Sequence, residues 1–203
     1  CSKYLKGELT LGELKNMRKN NNKSGFICYE SKLLNDWEMS AGVYSKGVKK
    51  GQSMTLRQIE ENSICILTTR KPEEPEKDRF IFGVFLVNHL SEGDIDNTGF
   101  VSSNSKYKIE LTPNEAKQFP FWNYYANENA TKRVAWGSGL HRYINNKVAA
   151  SVLRDIALIK RGTTDQQLAE EFLDFFCNLN KIDIDNIEEP NGALLIHGKN
   201  HPL

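Results

Sequence analysis

The residues able to do chemistry in this sequence are few and scattered. Its four cysteines, Cys1, Cys28, Cys65 and Cys177, lie far apart, so no C-x-x-C pair offers a zinc corner. Cys28 and Cys65 fall inside apolar, strand-like runs and Cys177 inside an apolar helical run. That placement predicts small core residues kept reduced in a cytoplasmic setting. The four histidines, His89, His141, His197 and His201, lack ligand spacing. A metal nuclease needs converging carboxylates with a nearby lysine, and the best set is Asp94, Asp96 and Glu110. It falls short, because Glu110 is followed by Leu111 and Thr112, and Asp94 and Asp96 sit in a polar stretch that predicts turn residues. Trp136-Gly137-Ser138-Gly139 lacks the G-x-S-x-G spacing of a nucleophile elbow. No phosphate loop, dinucleotide fingerprint or H-E-x-x-H occurs. The expectation is no catalytic residue, no metal ligand and no cofactor. One enzymatic alternative stays open: a hydrolase or nuclease with a non-local site, in which His141 is the general base beside a cysteine or carboxylate distant in sequence.

What remains is aromatic and basic. Trp37, Tyr44, Trp122, Tyr124, Tyr125, Trp136 and Tyr143 fall in or near loops rather than in long apolar runs. Lys46, Lys49, Lys50, Lys132, Arg133 and Arg142 accompany them. Aromatic faces stack on bases and cationic side chains hold phosphates, so this pairing of types points to a polyanion with planar rings. The net charge of +1 hides a segmental pattern. Residues 1–60 carry net +5, 61–130 net −4, 131–162 net +6 and 163–203 net −6. Two basic segments separated by acidic ones can converge on one positive face.

The elements that must position these residues are legible in outline. The 203 residues are enough for one large domain with a real core, and no run of apolar residues is long enough for a membrane helix. The stretch from Cys1 to Asn22 is polar and basic, unlike a signal peptide, and the Cys at position 1 predicts a piece of a longer protein. A capping box at Thr10–Glu13 predicts a first helix to about Asn20, followed by a strand at Phe26–Tyr29. Trp37–Tyr44 reads as an irregular strand, Lys46–Gly51 as a basic loop and Thr55–Glu60 as a helical turn or two. Ser63–Arg70 and Arg79–Asn88 read as a strand pair joined by the charged loop Lys71–Asp78. The second of these is apolar on both faces, which predicts cover on both sides. Lys106–Leu111 alternates, with one face in water. Thr112–Glu115 is a second capping box, opening a short helix to Phe119. Arg133–Trp136 reads as a short strand. Asn145–Lys160 is amphipathic. A third capping box at Thr164–Gln167 opens a helix burying Leu168, Phe172, Phe175, Phe176 and Leu179, with Glu170, Glu171 and Asp174 outside. Ala193–His197 is a last strand candidate. Successive strands with short connections predict an α+β fold built on a small curved antiparallel sheet or β-barrel flanked by helices, with an extra C-terminal helix. Residues 1–162 form the main domain, and 163–203 are a C-terminal helix and tail packed on or appended to it.

Over roughly residues 24–156 the order and texture of these segments resemble the PUA-like superfamily, in particular its EVE and YTH branches. Gly25–Tyr29 is similar to the first strand, and Trp37-Glu38-Met39-Ser40 to the Trp-bearing loop that walls a base pocket. Ser63–Arg70 and Arg79–Val87, with Ile81-Phe82-Gly83-Val84, resemble the central pair. Tyr107–Leu111 is similar to the next strand and Trp136–Ile144 to the closing segment. The resemblance implies a DNA- or RNA-binding module that seats a modified or flipped base in an aromatic pocket, within a larger bacterial restriction, defence or RNA-processing protein that carries a fused or associated nuclease. On that reading Trp37, Ser40, Tyr44, Trp122, Trp136, His141 and Arg142 line the pocket, with Trp122 and Trp136 competing to be its second wall. Lys46, Lys49, Lys50, Lys132 and Arg133 hold phosphates. A third class of function is a protein-interaction domain that uses the acidic face of the Thr164–Leu179 helix.

Overall fold

A computed structural model describes residues 37–44, 47–71, 74–125 and 141–190. The expected helix after Thr10, the strands at 26–29, 133–136 and 193–197, and the site residues Lys46, Lys132, Arg133 and Trp136 lie outside the described residues. Six strands are described: β1 (Glu38–Ser40), β2 (Ile64–Thr69), β3 (Phe80–Leu86), β4 (His89–Ser91), β5 (Phe100–Ser102) and β6 (Lys108–Glu110). The helices are α1 (Pro113–Ala116), α2 (Asn146–Ile159) and α3 (Gln166–Asn180). The fold is α+β, as expected. Among the described residues, however, the strands form two separate three-stranded antiparallel sheets, ordered β1-β5-β4 and β2-β3-β6, and do not close into a barrel.

The apolar run at 80–86 becomes the centre of its sheet. β3 pairs with β2 from Ile64↔Leu86 to Thr69↔Phe80, with a bulge between Leu67 and Thr68, and with β6 through Gly83↔Glu110 to Phe85↔Lys108. Every residue from Ile81 to Val87 is buried, which accounts for the lack of alternation in the sequence. In β6 the alternation holds: Ile109 is buried and Glu110 exposed. The capping box at α1 forms in full, with Thr112 Oγ1 accepting from Glu115 N at 3.3 Å and Glu115 Oε2 from Thr112 N at 2.6 Å. The helix it opens stops at Ala116, short of the expected Phe119.

α2 is capped by Asn145, whose side chain accepts from Val148 N at 3.0 Å. It buries Val148, Val152 and Ile156. The expected Thr164–Gln167 box does not form. The N-cap of α3 is Asp165 without a side-chain cap bond, because its carboxylate pairs with Lys160 Nζ at 3.1 Å. Lys160 is only 3% exposed and also reaches Glu115 Oε2 at 3.0 Å. One buried cation thus ties the α1 cap, the end of α2 and the start of α3 together. α3 buries Phe172 and Phe176, and Tyr107 stacks between Phe172 and Phe175 with centroids 5.0 Å away, so the helix is packed on the β6 side. Leu179, expected in the core, is 50% exposed. Asn146 at the start of α2 donates to Asn180 at the end of α3, so the two antiparallel helices end level.

The expected helical turn at Thr55–Glu60 is absent. Residues 53–56 instead run extended beside the β4–β5 connection, with Leu56 N donating to Glu92 O at 2.9 Å and Gly99 N to Met54 O at 2.9 Å. A segment whose backbone is satisfied by neighbours has no need of helical bonds.

Candidate nucleic-acid interface

The β1-β5-β4 sheet has two unlike faces. Cross-strand partners share a face, so Met39, Val101 and Leu90 form one row, and Val101 is fully buried. The rows on the other face are Glu38–Ser102–His89 and Ser40–Phe100–Ser91. That outer face is polar except for Phe100, which is half-buried between two serines with the His89 ring tilted against it at 5.6 Å. A lone aromatic on a polar, strand-borne face is a stacking platform for a planar ring.

Just beyond β1 the chain forms a projecting hairpin. Val43 bridges Ser53, Tyr44 N donates to Gln52 O at 3.0 Å and Gly51 N to Tyr44 O at 2.8 Å. Its end is closed by Lys50 N to Gly47 O and Gln52 N to Lys49 O, both at 3.0 Å. Gly47 and Gly51 hold φ of +76° and +87°, the left-handed region open to glycine, so the turn needs both. Lys49 and Lys50 are exposed and make no ion pair among the described residues; Lys49 Nζ lies 5.6 Å from the centre of the Tyr44 ring. Val48 at the tip is fully exposed.

The hairpin stands against the β4–β5 connection. Ser53 N donates to Ile95 O at 3.4 Å and Thr98 Oγ1 lies 3.4 Å from Ser53 Oγ. Gly93 and Gly99 pass so closely that a Cβ on Gly93 would overlap the Gly99 backbone, and one on Gly99 the Glu92 carbonyl. Asp94 organises the loop: its carboxylate accepts from Asp96 N at 2.8 Å, Asn97 N at 2.7 Å and Asn97 Nδ2 at 3.0 Å. These bonds, the Asn97 amide first, hold the Asp94 carboxyl below its usual range. Asp94 and Asp96 are therefore turn residues, as the sequence predicts, and among the described residues no group of histidine, cysteine and carboxylate can hold a metal ion. Ser91, Gly93, Asp94, Asp96, Asn97, Thr98 and Phe100 line an open cleft of about 610 Å³.

The sequence-predicted residues divide into three groups. Ser40 lies on this face, and Tyr44, Lys49 and Lys50 lie on the hairpin that adjoins the β4–β5 connection through Ser53. Ser40 is in register with Phe100, although its Oγ already accepts from Gly42 N at 3.3 Å. Trp37 and Trp122 do not meet. Trp37 sits edge-on to Phe85, centroids 6.1 Å apart, while Trp122 packs on Phe121 and donates its indole N–H to Glu76 O at 2.6 Å. Phe121 N in turn bonds Arg79 O, beside Phe80. Phe80 and Phe85 are about 16 Å apart at ~3.3 Å per residue, so the two tryptophans occupy opposite ends of β3 and cannot wall one base. Both rings serve packing, as do Tyr124, whose hydroxyl donates to Asp155 at 2.6 Å, and Tyr125, stacked on Phe121.

His141 and Arg142 lead into α2. Burial first, and the neighbouring Arg142 second, hold the His141 imidazole below the usual histidine range, so it is neutral at pH 7. Its Nδ1 is buried with no hydrogen-bond partner among the described residues, and Tyr143 meets the ring edge-on at 5.3 Å. Arg142 Nη1 donates to the His141 carbonyl at 2.6 Å. The two cysteines among the described residues are poorly suited partners for a His141 hydrolase: burial pushes the Cys65 thiol up to about 12, and burial with Asp174 raises that of Cys177.

Sequence reasoning missed Phe100 and His89, because the strands that carry them are three residues long. Their only sequence signal is alternation across His89–Ser91 and Phe100–Ser102, too short to separate from a loop. No helix among the described residues is long and apolar enough to cross a membrane. No family model, no curated protein and no solved structure matches this chain.

Proposed function

We propose that this chain is a nucleic-acid-binding module whose interface is the outer β1-β5-β4 face together with the lysine-bearing hairpin of residues 43–44 and 47–53. The observation that carries it is that the hairpin bearing Lys49 and Lys50, two exposed cations without ion-pair partners among the described residues, is bonded through Ser53 to the β4–β5 connection, whose residues line an open polar cleft together with the half-exposed Phe100. Lysines hold phosphates by charge, and a ring stacks a base whatever its sequence. The carboxylates of the cleft divide the surface further. Asp94 and Asp96 repel a phosphate backbone and leave it on the hairpin, while Asp96 and Asn97 can meet the amino and carbonyl edges of a base stacked on Phe100. Such a surface suits an unpaired or extruded base. Recognition of a modified or flipped base belongs to this proposal, with Phe100 in the place expected for Trp37. PUA-like kinship, a cytoplasmic setting and a nuclease or RNA-processing partner belong to it too. Two buried free thiols, Cys65 and Cys177, favour a reducing compartment.

The test is binding of fluorescent oligonucleotides at low salt. Phe100→Ala should weaken binding by ~1–3 kcal/mol, the usual value of one stacked base, with an unchanged salt slope. Lys49→Gln with Lys50→Gln should weaken it and flatten the slope. Absence of salt-sensitive binding in the unmodified chain would overturn the proposal.

A further inference from the structure

The basic face of α2 is covered by the chain's own acidic segment. Lys147, Ser151 and Arg154 lie four and three residues apart, hence on one side of the helix, over about 10 Å at ~1.5 Å per residue. After α3 the chain returns across this stripe. Arg154 Nη1 donates to the Ile187 carbonyl at 2.9 Å and Nη2 to Glu189 Oε2 at 3.0 Å. Ser151 Oγ donates to the Glu188 carbonyl at 3.0 Å, and Lys147 Nζ pairs with Glu188 Oε1 at 3.1 Å. Every acceptor the segment supplies is an oxygen, spaced along extended backbone, and two belong to carboxylates. A phosphodiester chain presents oxygens of the same kind to arginine, lysine and hydroxyl groups. The two partners come from the chain's most unlike segments, 131–162 at net +6 and 163–203 at net −6.

We infer that Lys147 and Arg154 on this face of α2 form a second phosphate-backbone surface, and that the Glu188 and Glu189 carboxylates occupy it as an internal competitor. The hold on the segment is uneven in a way that suits competition. Ile187 packs against the core and its carbonyl anchors to Arg154, so the backbone stays in place. The carboxylates are at the rim: the side chains of Glu188 and Glu189 are 47% and 86% exposed. Exposed ion pairs contribute little, so an incoming phosphate can replace each carboxylate without unpicking the strap. The identity of the competing polyanion rests on the nucleic-acid reading above; the surface is separate from the hairpin that carries that reading.

The experiment is a titration of labelled oligothymidylate at several salt concentrations, with folding followed by circular dichroism. E188Q/E189Q removes the strap's competing charges, leaves Asp155 on Arg154 at 2.8 Å as in the parent, and keeps both carbonyl anchors. It should bind about tenfold tighter, with a salt slope steeper by ~1.4 for two added single-strand phosphate contacts. E170Q/D174Q makes the same change in net charge on the exposed side of α3, and should change affinity by less than about twofold at matched salt. Adding Lys147→Gln to E188Q/E189Q should take back most of the gain. The inference is overturned if E188Q/E189Q matches E170Q/D174Q, or if its gain survives Lys147→Gln. If the double variant loses its fold, Glu188→Gln alone is read against the same control. Binding that depends on Lys49 and Lys50, with no gain from E188Q/E189Q, overturns the covered surface and leaves the nucleic-acid reading standing. If no variant binds oligothymidylate, both fall. Capture by phosphatidylserine vesicles with none by oligothymidylate also overturns both.

Discussion

Replacing Trp37 by alanine should unfold this domain more readily rather than empty a binding pocket. The ring is half-buried, edge-on to Phe85, which is itself fully buried, and the Trp37 carbonyl accepts from Ser103 N at 3.0 Å. A fully buried tryptophan truncated to alanine costs ~3–5 kcal/mol, and about half of that applies to a half-buried one. Loss of the edge-on pair with Phe85 adds ~0.5–1.5 kcal/mol. Trp37 also holds φ at +45°, but alanine is no better there than tryptophan, so the backbone term cancels. The expected loss is ~2–4 kcal/mol, or roughly 4–16 °C in Tm for a domain of this size. Urea melts followed by circular dichroism measure it. Trp37→Phe should recover most of the loss, and oligonucleotide affinity measured below the transition should be nearly unchanged. A Trp37→Ala protein that melts with the parent but binds tenfold more weakly would refute the packing role and restore Trp37 to the interface.

Lys160→Met should cost ~3 kcal/mol in urea melts, because it strands the carboxylates of Glu115 and Asp165 at a site where the cation is 3% exposed; in a double-mutant cycle with Glu115→Gln the two losses should be less than additive. His141 should make stability depend on pH. Its folded pKa lies below the unfolded value of about 6.5, so the unfolded chain binds more protons in that window and stability rises with pH. The contribution is fully present above the unfolded pKa and is lost as pH falls from there through the folded pKa; His141→Gln should flatten that part of the profile, and an unchanged profile would count against burial of the neutral ring. Cys65, with its thiol pushed up to about 12, should resist alkylation at pH 8 in the native state and react only on unfolding, as quantified by mass spectrometry.

The parts of the fold that were legible are those whose pattern repeats. Phe80–Leu86 declared a strand covered on both faces because no position in it is polar, and the Thr112–Glu115 box declared its helix start because both partners are local. The rest depends on contacts distant in sequence. Asp165 abandons its cap for Lys160, and the segment 53–56 gives up helix for bonds to Glu92 and Gly99, neither of which a local pattern contains. The candidate site was legible only in part for the same reason. Lys49 and Lys50 between two glycines announced an exposed basic turn. Trp37 and Trp122 lie in loops by sequence, yet their rings are enclosed by Phe85 and by Phe121 with the Glu76 carbonyl, partners 48, 1 and 46 positions away. Phe100 gave too short a signal to use, since its strand has three residues, and only the pairing of β1, β5 and β4 turns it outward.

The central claim, that the hairpin and the Phe100 face form one nucleic-acid interface, is tested most directly by the salt dependence of oligothymidylate binding in Lys49→Gln/Lys50→Gln and Phe100→Ala, measured side by side with the parent chain. Loss of the lysine pair should weaken binding and reduce the slope of log affinity against log salt by ~1.4, while Phe100→Ala should weaken binding and leave the slope alone. A slope untouched by loss of both lysines, together with affinity untouched by loss of the ring, would contradict it.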